Sequence, residues 1–509
     1  PAVLSADTEA DHELILRNGM IYDGSGGAPF RGDLAIDGDR ITAVGDLSGR
    51  TARSEIDAGG LAIAPGFINV LSWSNLSLIQ DGRSLSDVKQ GVTLEVMGEG
   101  HSMGPWNDAM KKQRLEEQSD IRYDIAWTTL GEYLQHLEDR GVSTNVASFV
   151  GASSVRVHEM GYEDREATAE ELERMKELVR DAMREGAIGL SSALVYVPGN
   201  FASTAELIEL ASAAAEFDGL YTSHMRNEGN TILDALDEFI TIVRESGIRG
   251  EVYHLKVSGK QNWDKLDEVI RRIEAARAEG LPVTADMYTY HASSTGLTIE
   301  LPGWAREGGH DAMVERLKDP ALRPKIAADM DMIPPEDLLL TSFENPELRH
   351  LTGRTLAVVA AERGTSPEET AFDLIIEDDS RVGTVRFTMS EDNIRKKIAL
   401  PWMSFCSDSA SQAPEPPFTF SQPHPRGYGA FARLLGKYVR DEGIISLQQA
   451  IHRLTQLPAA NMKLRDRGAL KAGHFADIVV FVPAGVQDKA TVEQPHQLAE
   501  GVVHVFGNG

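Results

Sequence analysis

The chain has 509 residues, 42% hydrophobic and 25% charged, a globular composition too long for one small domain. Its 78 acidic against 50 basic side chains leave a formal net charge of −28, which disfavours a nucleic-acid or anionic-membrane partner. The single cysteine, Cys406, excludes an intrachain disulfide. No apolar run reaches the roughly 18 to 20 residues of a membrane span. The chain begins at Pro1, and "PAVLSADTEADHE" reads as a remnant of signal-peptide cleavage or as an arbitrary start, so a periplasmic or secreted location is expected ahead of a cytoplasmic one.

From residue 13 to 64 short alternating segments are punctuated by Asn-Gly, Asp-Gly and Gly-Gly, the pattern of a small β-meander. The last segment, from 465 to 509, has the same texture in "GALKAGHFADIVVFVPAGV" and "GVVHVFGNG", so the two ends are expected to form one small β-domain. Between them, over 65–464, strands alternate with helices. Candidate strands are 67–73, 93–99, 145–151, 188–196, 220–225, 251–257, 282–290 and 403–409. Two of the intervening helices are strongly amphipathic: 168–186, with Thr168 and Glu171 as a capping box and Gly186 as its stop, and 263–280. Eight such strands predict an α/β fold of the (β/α)8 barrel type, with the long gap before the eighth strand holding a helical insertion or lid at about 299–350.

Barrel enzymes carry their chemistry at the C-terminal ends of the strands. Those ends offer Glu99, Tyr196, His224 with Arg226, His254 with Lys256, Tyr288 and Asp408. Residues two apart on a strand share a face, so His254 and Lys256 should point together, as should His224 and Arg226. His224 and His254 lie 30 residues apart, one strand–helix–strand unit, which brings both imidazoles to one rim. Two neutral imidazoles and a carboxylate leave a coordination position open, the arrangement of hydrolytic zinc, and Asp408 then fits a general base. The plainer alternatives are structural. A lone strand-end His is usually just hydrogen-bonded, Glu99 reads also as a solvated loop acid and Lys256 also as a salt-bridge partner. Tyr196 and Tyr288 read also as packed residues with their hydroxyls on backbone. Cys406 reads as a small buried hydrophobe.

The segments "ILRNGMIYDGSG", "APGFINV", "KQGVTLEVMGEG", "SSALVYVPGNFAS", "TSHMRNEG", "YHLKVSGKQNW", "ADMYTYHASSTGL", "SDS" and "PHPRGYGAFARLLGKY" occur in this order. Together they resemble the amidohydrolase superfamily and, within it, the N-acyl-D-amino-acid deacylases, over nearly the whole chain. The resemblance implies a (β/α)8 barrel with a composite β-domain and a zinc site. It also implies that Lys256, Arg426, Tyr196, Tyr288 and Ser294 bind the substrate carboxylate. The departures are local. Leu71 and Trp73 stand where the family has a His-x-His pair, and Asn69 replaces an Asp. Gly100 aligns with a Cys ligand, so Glu99, with His101 as reserve, is the expected third ligand beside His224 and His254.

The resulting expectation is an amidohydrolase with one Zn²⁺ per chain on Glu99, His224 and His254, with Asp408 as the base. Its substrate would be a small N-acyl amino acid, of D configuration by resemblance alone, and the chain is a possible homo-oligomer. The alternatives are a hydrolase for another amide, dipeptide or cyclic ester bearing a bulky apolar group, and a binding homologue that has lost catalysis.

Overall fold

The computed structural model describes residues 10–509. Eight parallel strands form the barrel: β1 (Phe67–Asn69), β2 (Val92–Met97), β3 in two pieces (Asn145–Ser148 and Val150–Gly151), β4 (Gly189–Ala193), β5 (Leu220–His224), β6 (Arg249–Val252), β7 (Val283–Met287) and β8 (Met403–Phe405). Pairing runs in sequence order from β1 to β8. Two irregular points complete the ring. At the break in β3, Phe149 N donates to Met97 O (2.9 Å) and Ile188 N to Ser148 O (3.0 Å). Between β8 and β1 a parallel bridge joins Ser72 to Ser409, with Asp408 N on Leu71 O and Trp73 N on Ser409 O, both 3.0 Å.

The strands are apolar because both faces are covered, the inside by side chains and the outside by helices. The helix Ala169–Arg184 keeps its Thr168/Glu171 capping box and buries Met175, Val179, Ala182 and Met183 against the strands. Strands are shorter than their apolar runs, so the chemistry-bearing residues sit just past the last ladder bond, where side chains are free to turn into the mouth.

The two ends of the chain meet in one seven-stranded sheet: Ile478–Phe481 pairs antiparallel with Ala62–Pro65, which lies beside His12–Ile21. The excursion between β7 and β8 is wider than 299–350. It builds its own antiparallel sheet from Ser293–Gly296, Gly383–Arg386 and Leu338–Ser342 over a separate core that includes Leu297, Leu340 and Phe372. Strands of four or five residues that pair only with one another leave little periodicity to read.

Beneath the closing seam lies a buried polar knot. Glu95 on β2 accepts from Ser72 Oγ (2.7 Å), Thr144 Oγ1 (2.9 Å), Ser74 Oγ and Ser84 Oγ. Asn69 accepts from Ser407 N (2.9 Å) and donates to Asp87 Oδ1 (2.9 Å), tying β1 to the segment after β8. Burial, reinforced by the Glu95 charge, pushes the Asp87 carboxyl well above the usual range. Replacing Glu95 by Ala removes the acceptor that four buried hydroxyls share and leaves them chiefly one another and Ser411. Urea unfolding of Glu95→Ala should show a loss of about 3 kcal/mol or more, with Glu95→Gln recovering part of it.

Candidate active site

The turn after β2 is the first device. Gly98 (φ +103°) and Gly100 (φ +63°) take conformations that side chains resist, and a Cβ on Gly100 would lie 2.5 Å from Ala193 Cβ. No side chain fits at 100, so no ligand can stand there. The reversal instead carries Glu99 into the barrel mouth. His101 lines the cavity but stays outside the cluster. Burial, aided by Arg114, pushes its imidazole down to about 3, so it is neutral.

His224 is the last residue of β5, and His254 follows β6 with φ +34°, its N–H held by Asp286 Oδ1 at 2.8 Å. Glu99 Oε1 lies 3.1 Å from His224 Nδ1 and 3.1 Å from His254 Nε2. The two rings meet edge-to-face at 4.4 Å. One donor atom from each residue falls within 4.8 Å of the others, and Glu99 Oε2 is buried without a partner. Two imidazole nitrogens and a carboxylate oxygen, with a second oxygen unspent, fit a zinc-type ion.

Glu228 completes the arrangement and was not singled out from sequence. Its carboxylate lies 3.2 Å from His254 Nδ1, 3.5 Å from His224 Nε2 and 2.6 Å from Lys256 Nζ. It engages on each ring the nitrogen that Glu99 does not, so it fixes which nitrogen faces the centre. Its only sequence clue is the i+4 spacing from His224 in "SHMRNEG". Lys256 is salt-bridged here, with its Nζ also 2.8 Å from His254 Nδ1. Arg226 turns away, pairing with Glu238 at 2.8 Å and donating to Asn200 O and Ala202 O.

Electrostatics show what the cluster lacks. Burial would raise Glu99 and Glu228, but the imidazoles hold Glu99 far below the usual range, and Lys256 with the imidazoles does the same for Glu228. Burial and Lys256 press His254 downwards, yet Asp408, Glu228 and Glu99 push it up to about 10. Protons therefore supply the positive charge that the acids demand, and a divalent cation would supply it instead.

On the facing wall, Asp408 (φ +48°) accepts from Trp73 Nε1 at 3.1 Å and lies 2.6 Å from Arg426 Nη1. Arg426 is buried over the Tyr288 ring at 4.6 Å, and its Nε and Nη1 have no aligned acceptor. Tyr288 is 1% exposed with its hydroxyl 3.5 Å from Met389 Sδ, so it lies behind Arg426 as a cation–π platform rather than on the cavity wall. Tyr196 packs edge-on to His224 (5.2 Å) and its hydroxyl meets Thr295 Oγ1 (2.8 Å). Ser294 reaches the cavity but donates to Thr384 O at 2.9 Å. Leu71 is fully buried, whereas Trp73 opens onto the cavity. The cavity encloses about 590 Å³ and brings together Glu99, His224, His254, Lys256, Asp408 and Arg426.

Residues 54–509 match the amidohydrolase family. The chain belongs to that family. It is 34% identical to a D-aminoacylase of Alcaligenes xylosoxydans xylosoxydans over 99% of this chain and 95% of that one. It is 33% identical to an N-acyl-D-glutamate deacylase of the same organism over 98% and 93%. Among solved structures, the N-acyl-D-glutamate deacylase of Bordetella bronchiseptica, bound to zinc and a phosphonate mimic of the tetrahedral intermediate, aligns with TM-score 0.83 at 31% identity over 98% of this chain and 96% of that one. A D-aminoacylase studied for a binuclear centre, with one-metal activation and second-metal attenuation, aligns with TM-score 0.82 at 34% identity over the same shares. The amidohydrolase fold is thus established on sequence and structure alike.

If Glu228 orients both rings, Glu228→Gln should weaken zinc binding about 10- to 100-fold in equilibrium dialysis while the protein stays folded. Unchanged affinity would reduce Glu228 to a counter-charge for Lys256.

Proposed function

We propose that the chain is a zinc-dependent deacylase of N-acyl amino acids, acting on the D series and holding one metal. The observation that carries this is the convergence of Glu99, His224 and His254 on one point, with a spare carboxylate oxygen, across a cavity from Asp408 and Arg426. D configuration comes from the relatives, whose names specify it.

Glu99, His224 and His254 would hold the zinc, whose chemistry when bound would be Lewis acidity towards the amide carbonyl and a lowered pKa for water. The protein supplies the rest. Arg426 offers donors to the substrate α-carboxylate, and Lys256 adds positive charge. In the resting protein Arg426 is occupied by Asp408 Oδ2. An incoming carboxylate competes for the guanidinium and frees that oxygen. Asp408 then takes a proton from water as the carbonyl carbon is attacked, and returns it to the amide nitrogen as the C–N bond breaks. One amide and one water become a carboxylic acid and a free amino acid. Trp73 holds Oδ1 throughout and keeps the carboxylate facing the cavity. Leu71 and Trp73 offer no ligand beside Asp408, which supports one metal rather than two.

Protein purified without added metal should carry about one zinc by plasma mass spectrometry and release amine from N-acetyl-D-amino acids faster than from their L isomers. Metal-free protein that releases no amine after zinc is restored would overturn the reading and favour a binding homologue. Asp408→Asn should keep its zinc while kcat falls about 10²- to 10⁴-fold. Arg426→Met should raise KM for N-acyl amino acids by about tenfold or more, with zinc content unchanged.

A further inference from the structure

Among the described residues Trp73 is the one exposed tryptophan, at 36%. Its indole N–H is pinned on Asp408, so the ring is held in place while it stays open to the catalytic cavity. Eight large apolar side chains are exposed among the described residues, and three of them follow one path. Trp73 lines the catalytic cavity, and Leu76 and Phe420 line its neighbour. That neighbour encloses about 340 Å³, with Ile121, Phe343 and Phe418 adding apolar wall. Arg114, Glu117 and Arg381 line both cavities, so the two adjoin. Arg114 and Glu117 stand 3.9 Å apart at the border, a matched pair whose aliphatic stems can flank an apolar chain.

The second cavity lies on a definite side of Asp408. Arg426 faces one oxygen of that carboxylate, and Trp73 donates to the other. From there the segments 73–76 and 408–412 run together: Trp73 N donates to Ser409 O at 3.0 Å and Ser411 N to Ser74 Oγ at 2.8 Å. Both segments arrive at the second cavity, which Leu76 and Gln412 line. The cations of the carboxylate clamp, Arg426 and Lys256, line the first cavity and not the second. An N-acyl amino acid has its α-carboxylate on one side of the scissile bond and its acyl chain on the other. With the carboxylate on Arg426 and the scissile bond at Asp408, the acyl chain leaves over Trp73.

We propose that Trp73, Leu76 and Phe420 form an acyl-chain subsite running from the catalytic base into the second cavity, so that the preferred substrates carry linear apolar acyl groups longer than acetyl. This rests on the N-acyl amino acid reading and adds to it which acyl groups are taken. Each methylene laid along this path removes apolar surface of both chain and wall from water. Because Trp73 is already fixed by Asp408, the first part of the wall needs no ordering when the chain binds.

With zinc-loaded protein, kcat/KM for N-acyl-D-alanines should climb from acetyl through pentanoyl to octanoyl by about two- to fourfold per methylene. N-acetyl-D-norleucine carries on its side chain the methylenes that N-pentanoyl-D-alanine carries on its acyl group. It should gain less than the pentanoyl compound; a larger gain would assign the cavity to the amino-acid side chain and overturn the proposal. The double variant Leu76→Ser, Phe420→Ser changes two exposed side chains, neither of which lines the catalytic cavity. It should raise KM for the octanoyl compound about tenfold or more and leave N-acetyl-D-alanine within about twofold. Calorimetry of octanoate against acetate on the same protein separates the two readings. If no acyl compound is hydrolysed but octanoate binds more tightly than acetate and the double variant abolishes this, the deacylase reading falls and the apolar subsite stands. If amides are hydrolysed with no dependence on acyl length and the double variant changes nothing, the subsite is overturned and the deacylase stands.

Discussion

The site depends on one costly arrangement, a buried carboxylate wedged between two imidazoles. Glu99 and Glu228 lie on opposite sides of the His224–His254 pair, the first fully buried and the second largely so. Two acids in that setting require positive charge close by. Lys256 meets part of the demand, and a proton on His254 meets more of it. Much of the local geometry serves to hold this cluster: the two-glycine turn that presents Glu99, Asp286 holding the His254 backbone at positive φ, and strands that stop short of the functional side chains. Backbone held in sparsely populated regions persists only where its surroundings over-determine it. Here two of the non-glycine residues held at positive φ, His254 and Asp408, face the same cavity.

The closing seam shows how the chain compensates for what stands at its first strand. Leu71 points into the core, and Trp73 presents an indole N–H to Asp408. An N–H donor satisfies one oxygen of Asp408 without adding a full positive charge. Below it, Glu95 and the surrounding hydroxyls bind the exits of β1, β2 and β8 into one polar knot. The departure from the family is therefore accommodated structurally: each polar atom that the first strand presents finds a partner inside the protein. That is the condition of a maintained site rather than of a decayed one.

What could be read from the sequence follows from which physical patterns survive in one dimension. Buried parallel strands appear as apolar runs, and capped amphipathic helices appear between them, so the barrel and the convergence of His224, His254 and Asp408 were legible. Glu228 and the cavity of Leu76, Phe343 and Phe420 were not, because loops and an irregular insert have no period that aims a side chain. In the sequence Glu99 is preferred to His101 on ligand chemistry rather than on geometry, for a related reason. Strand alternation ends at Gly98, and only the φ angles of the two glycines decide which neighbour turns inward. Tyr288 illustrates the opposite error. Alternation placed it correctly at the mouth, but one residue of depth separates a wall from the layer supporting it.

On the proposed mechanism, the pairing of Asp408 with Arg426 would link recognition to chemistry. A base whose oxygens are both engaged is poorly placed to take a proton from water. In the resting protein one oxygen receives the Trp73 indole and the other faces the Arg426 guanidinium. Only the second contact is exchangeable, because only a cation can be claimed by another anion. A substrate bearing an α-carboxylate makes that claim as it binds, whereas a simple amide does not. Discrimination would then be exercised partly in the chemical step, since an uncharged amide leaves the base paired even when it occupies the cavity. In the proposed mechanism, the clamp that positions the substrate thereby also releases the group that acts on it.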